Sequence, residues 1–132
     1  MSLLLNKGDE KMNDRKKILQ VVEKYIESAY TSDGNLVRDI FHEDSKVTGH
    51  IKGKLLRQSK EDWAKFVENH QPPPKQKGEE KKFDIHLVDV GIETAVVKVK
   101  SSYINMVFMD TLSFIKEEGK WVIYSKIFET VE

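Results

Sequence analysis

The sequence contains no cysteine, which excludes disulfides, thiolate nucleophiles and cysteine-based zinc sites and makes the cytoplasm the expected location. Neither sign of charge is in surplus, because 22 Lys and Arg balance 22 Asp and Glu. Non-specific phosphate binding needs an excess of cations, so neither nucleic acid nor an acidic membrane is an expected partner. No apolar run approaches the ~20 residues that cross a bilayer. Leu3 to Leu5 is too short for the ~7–15 residue apolar core of a signal peptide. The motifs GxSxG, HExxH, a strand-borne GxGxxG and the EF-hand loop are all missing. The segment from Gly49 to Leu55 is one residue short of a phosphate loop, with Leu55 where Ser or Thr is needed. His42, His50, His70 and His86 lack metal-ligand spacing. No cofactor and no metal are expected.

What remains is one domain's worth of chain. Its 132 residues are 39% hydrophobic and 33% charged, a globular mixture. Residues 1–12 read as a leader or an added segment, and residues 13–132 as a single domain. Asn13 is the expected N-cap of a first helix, with Asp14 in its first turn facing the helix dipole. Ile18, Val22, Tyr25 and Ala29 recur at helical spacing, and Ser32-Asp33-Gly34 stops the helix. A short second helix follows, with Leu36, Val37, Ile40 and Phe41 on its apolar side. Residues 45–51 and 54–58 form a small hairpin about Gly53. Ser59-x-x-Asp62 is a capping box opening a third helix, whose expected buried face is Trp63, Phe66 and Val67. Pro72, Pro73 and Pro74, followed by a charge-rich run to Lys82, predict an exposed loop.

From Phe83 onward the hydrophobic period falls to two, which predicts a series of hairpin-connected strands. Helices first and strands last is an α+β order: an antiparallel sheet with helices on one face. The last two strands are apolar at both parities. Phe108, Leu112 and Phe114 oppose Val107, Met109 and Ile115; Val122, Tyr124 and Phe128 oppose Trp121, Ile123 and Ile127. One face must cover the helices. Leaving the other wet would expose a large apolar area at roughly 25 cal/mol per Å². A homodimer packed through that sheet face is expected, with the N-terminal segment as the other possible cover.

This order of elements resembles the NTF2-like superfamily, the cystatin-like cone of three N-terminal helices on a strongly curved antiparallel sheet. Within it the chain is most similar to SnoaL-like proteins and the group called "putative lumazine-binding". The residues that carry the likeness are Tyr25 to Tyr30, Ile40 to Asp44, Gly49-x-x-x-Gly53, Asp110 to Lys116, Gly119-Lys120-Trp121 and Lys126-Ile127-Phe128, across about residues 16–130. The superfamily also holds ketosteroid isomerase, which uses an Asp base with a Tyr and a protonated Asp as oxyanion donors. The resemblance places that tyrosine on Tyr25 and the base on Gly49. Glycine abstracts no proton, so steroid isomerisation is not expected.

The fold hosts many chemistries, and three functions stay open on the sequence. The first is a dimeric small-molecule-binding protein. Its apolar pocket would be lined by Tyr25, His50, Trp63, Phe66, Tyr103 and Asp110, and would take a planar aromatic or heterocyclic metabolite. The second is an enzyme of the dehydratase, cyclase or isomerase class, with His50 and Asp110 as its catalytic proton-transfer pair. The third is a non-catalytic interaction module whose void is filled by Trp63, Phe66 or Tyr30. A void of at least ~300 Å³ would mark a drug-sized pocket. Asp110, an acid among apolar neighbours, needs a partner, and Lys126 on the next strand is the candidate.

Overall fold

A computed structural model describes residues 7–131. Half of the expected leader, residues 1–6, lies outside the described residues. Helix α1 runs over Lys7–Thr31, so Asn13 is not its cap and position 12/13 falls within a helix. The acidic first turn is Asp9 and Glu10 instead. Asp14 has a different task. It is 7% exposed and accepts hydrogen bonds from Trp121 Nε1 at 3.0 Å and Lys116 Nζ at 3.4 Å. Burial pushes its carboxyl up, but these two donors outweigh burial and hold the pKa below the usual carboxylate value. The contact pins α1 to the last hairpin.

Ser32, with φ of +54°, ends α1 and donates Oγ–H to the His70 carbonyl. Asp33 then caps α2 (Gly34–Ile40), its side chain accepting from Leu36 N. Phe41 does not continue that helix. It opens β1 (Phe41–Ile51), which begins four residues before the expected start. Lys52 and Gly53, both at positive φ, turn β1 into β2 (Lys54–Ser59). The capping box at Ser59 and Asp62 is present and opens α3 (Lys60–Asn69). Arg38 on α2 forks onto Glu61 and Glu68 of α3, tying the two short helices together.

Four long strands follow: β3 (Phe83–Val90), β4 (Thr94–Tyr103), β5 (Met106–Glu117) and β6 (Lys120–Thr130). The six-stranded order is β2-β1-β6-β5-β4-β3. The sheet is not purely antiparallel, because β1 and β6 pair in parallel. Strands β3 to β6 form a hairpin meander, and β1 reaches β6 only across the intervening α3 and meander, so its direction is free of any hairpin constraint. The architecture is the α+β one expected, with the core between the helices and the concave sheet face. Ile18, Val22, Val37, Val47, Val67, Val97, Val99 and Leu112 are fully buried there.

Two local features shape that face. Gly49 pairs with Phe128, and a Cβ on Gly49 would collide with the Phe128 carbonyl and ring. The Phe128 ring therefore occupies the space a side chain at position 49 would fill. A bulge between Ser113 and Phe114 leaves Tyr124 without a cross-strand partner. The extra residue flips the parity of β6. Trp121 and Ile123 face inward before it, and Lys126 and Phe128 after it, while Tyr124 (40% exposed) and Ile127 (58%) face out. The expected grouping of Val122, Tyr124 and Phe128 on one side is corrected accordingly.

Candidate functional site

A cavity of about 80 Å³ opens between α1, α3 and the concave sheet, at the end where β4 and β5 turn over. Tyr25 and Tyr30 come from one stripe of α1, and Trp63 and Phe66 from α3. Strand alternation brings in Tyr103 from β4, Phe108 and Asp110 from β5, and Lys126 and Phe128 from β6. The loop over residues 70–82 forms the lip. It is less exposed than the sequence suggests, for Pro74 is buried and lines the cavity. Lys75 N donates to the Tyr30 carbonyl, Tyr30 Oη donates to the Glu79 carbonyl, and Lys81 pairs with Glu27 at 2.8 Å. These bonds strap the loop to the end of α1.

At the floor, Tyr25 Oη donates to Asp110 Oδ2 at 2.5 Å. Burial, then the neighbouring carboxylate, pushes the Tyr25 phenol well above its usual pKa, so it stays protonated as a donor. Lys126 Nζ lies 3.6 Å from the Trp63 ring centre, 5.0 Å from that of Tyr25 and 5.3 Å from that of Phe128. It makes no hydrogen bond or ion pair within bonding distance among the described residues. Asp110 acts on it through space only. Burial lowers the Lys126 pKa to about 8, with Asp110 pulling weakly the other way. Among the described residues, three more polar atoms on residues that line the cavity have no hydrogen-bond partner: Asp110 Oδ1, Trp63 Nε1 and Tyr103 Oη. Burial also raises the Tyr103 phenol.

Five of the six expected site residues, Tyr25, Trp63, Phe66, Tyr103 and Asp110, line this one cavity. His50 does not. Gly49 and Ile51 point inward on β1, so alternation turns His50 outward, where it is exposed and flanked by Leu55 and Glu129. The His50–Asp110 pair is therefore not assembled, and the proton-transfer enzyme built on it loses its base. Trp63 offers no open stacking face. Lys126 covers one side, and Phe66 stacks on the ring at 5.4 Å and 14°. Phe66, expected in the core, is 39% exposed, and Ala64 takes the buried place. The cavity is smaller than the ~300 Å³ expected for a drug-sized pocket. Lys126 is the site residue that sequence reasoning placed in the wrong role. Its two-residue spacing from Phe128 was the signal that both share a face.

The sequence profile of a family described as "Putative lumazine-binding" matches residues 13–129. The chain belongs to this family. Its fold is shared by NTF2-like proteins of unknown function. One from Silicibacter pomeroyi DSS-3 is 22% identical over 91% of this chain and 98% of its own, with a TM-score of 0.78. One from Shewanella baltica OS155 is 24% identical over 92% and 96%, also at 0.78. One from Methylobacillus flagellatus KT is 23% identical over 100% and 99%, at 0.75. No curated protein of described function matches the sequence. Family membership fixes the cone and leaves the chemistry to the cavity. Among the described residues no helix is long and apolar enough to cross a membrane.

Proposed function

We propose that this member of the family is a cytoplasmic small-molecule-binding protein whose cavity takes the polar edge of a planar heterocyclic metabolite. One observation carries the reading. Among the described residues, Asp110 Oδ1, Trp63 Nε1 and Tyr103 Oη have no hydrogen-bond partner and their residues line a single apolar cavity beside the Lys126 ammonium, which has no ion pair there. A buried unpartnered polar group costs about 1–3 kcal/mol, and such groups seldom cluster without something to satisfy them. An acceptor, two hydroxyl or N–H donors and a cation match a ring bearing both carbonyl and N–H groups. The space holds one ring edge. The rest of a guest projects through the mouth, where the exposed Phe66 ring can lie on it. Isothermal titration with lumazine tests this. Saturable heat is expected from the wild-type protein and not from Ala29→Phe, which fills the cavity from α1. Equal heat from both variants, or none from the wild type, overturns the assignment.

We further propose that the protein is a homodimer through its convex sheet face. Asp84, Lys100, Met109, Glu129 and His50 form one row across β3, β4, β5, β6 and β1. A two-fold axis along β5 sets Lys100 opposite Glu129 of the partner subunit, and Asp84 opposite His50 of the partner subunit. The outward Ile127 and Tyr124 close over the centre. Lys100 and Glu129 are opposite in charge and meet twice across the axis, as suits an isologous interface. Light scattering at about 10 µM is expected to give twice the chain mass, and half that mass for Ile127→Glu. A wild-type monomer overturns the dimer.

A further inference from the structure

We propose that Lys126 is a nucleophile, and that the site captures an aldehyde or ketone group of its ligand as an imine on the Lys126 amine. The inference rests on the binding reading above and names the reactive part of the guest. Lys126 is 4% exposed on the cavity wall, with aromatic rings on three sides. A structural lysine would spend its ammonium on a carboxylate within bonding distance, whereas this one has none among the described residues. Burial brings its pKa to about 8, so a substantial fraction of the amine is neutral near physiological pH. A ligand anion is the competing reading of a buried cation. It is disfavoured because the carboxylate of Asp110 shares the same small cavity and repels it. A neutral carbonyl meets no such repulsion.

The remaining groups fit the chemistry. The amine lone pair forms the C–N bond while the carbonyl π pair moves onto oxygen. The oxygen gains a proton released by the nitrogen, giving a carbinolamine. A second proton released by the nitrogen leaves with that oxygen as water, and the C=N bond forms. Amine plus carbonyl yields imine plus one water, with no oxidant or reductant. Asp110 Oδ1, without a hydrogen-bond partner among the described residues, is the acceptor available to relay both protons, and Tyr25 holds the carboxylate through Oδ2. The apolar walls limit the water that would reverse the reaction.

Benzaldehyde with sodium cyanoborohydride at pH 7.5 tests the proposal, read by intact mass and peptide mapping. One benzyl group on Lys126 is expected at one equivalent, at least about tenfold faster than on any exposed lysine, because burial lowers the Lys126 pKa. Lys126→Met is expected to lose the fast adduct. Asp110→Asn is expected to slow it, a readout that loss of folding would not mimic if the variant's circular dichroism is unchanged. Labelling spread over surface lysines overturns the imine. So does the absence of an adduct in a sample that binds lumazine, which leaves the binding reading standing. Absence of both adduct and lumazine binding overturns the two together.

Discussion

Lys126→Met raises the stability of the fold by about 2–3 kcal/mol near pH 7, and most of that gain disappears by pH 10. The ammonium is attracted by Asp110 and by the Trp63 ring, yet its pKa still falls to about 8. Desolvation therefore outweighs the attraction of Asp110. The difference from an unfolded lysine near 10.4 is worth about 3 kcal/mol of penalty on the charged form, with the loss of the Asp110 attraction already included. The sign follows from proton counts. Below about pH 8 the folded and unfolded states both carry the proton, so the wild-type protein bears the whole penalty. Between about pH 8 and 10.4 the unfolded chain binds more protons than the folded one, so wild-type stability rises with pH. Methionine keeps the aliphatic bulk against the rings and never titrates. Urea denaturation of both proteins at pH 7, 8.5 and 10 reads the difference directly. A variant no more stable than the wild type at pH 7 sinks the account. A buried group that lowers stability at working pH is what a functional site looks like, since selection on stability alone would have removed it.

Most of the architecture was legible because its determinants are local. The capping box at Ser59 and Asp62, the turn at Gly53 and the alternation of Ala95, Val97 and Val99 each act over a few residues. The inward set Phe108, Leu112 and Phe114 was legible for the same reason. What escaped depends on partners far along the chain. The Tyr124 bulge exists only because β5 and β6 disagree by one residue, and nothing within β6 marks it. Past that point the parity of β6 reverses, so Tyr124 faces out although alternation groups it with the inward Phe128, and Ile127 faces out although alternation groups it with the inward Trp121 and Ile123. The parallel pairing of β1 with β6 joins opposite ends of the domain, so no turn signal foretells it. Asp14 looked like a first-turn residue because its partners, Trp121 and Lys116, lie about a hundred positions away. Phe66 satisfied the helical period and still faces out, since stacking on Trp63 at the cavity mouth gives it a place that burial behind Ala64 would not.

Asp110→Ala is expected to cost about 2–4 kcal/mol, or roughly 5–15 °C in melting temperature for a domain of this length. Two losses set the figure. Tyr25 Oη, buried and protonated, is left without an acceptor, and an orphaned donor costs about 1–3 kcal/mol. Lys126 also loses the one counter-charge that acts on it among the described residues. That second loss is capped, because the amine can shed its proton instead. With a starting pKa of about 8, deprotonation at pH 7 costs on the order of 1 kcal/mol. Asp110→Asn keeps an oxygen for Tyr25 and should cost less than half as much. The carboxylate and phenol act as one unit, so their effects will not add. Tyr25→Phe orphans the second oxygen of Asp110, whose Oδ1 is already unpartnered. The double variant Tyr25→Phe with Asp110→Ala removes both ends of the bond and should be more stable than the sum of the single changes by about 1.5–3 kcal/mol, the range for a hydrogen bond to a charged group. The cycle is measured by urea denaturation at pH 7. Additive single effects would mean that the 2.5 Å contact carries no coupling, and the polar floor of the cavity would then be an accident of packing rather than an organised acceptor for a guest.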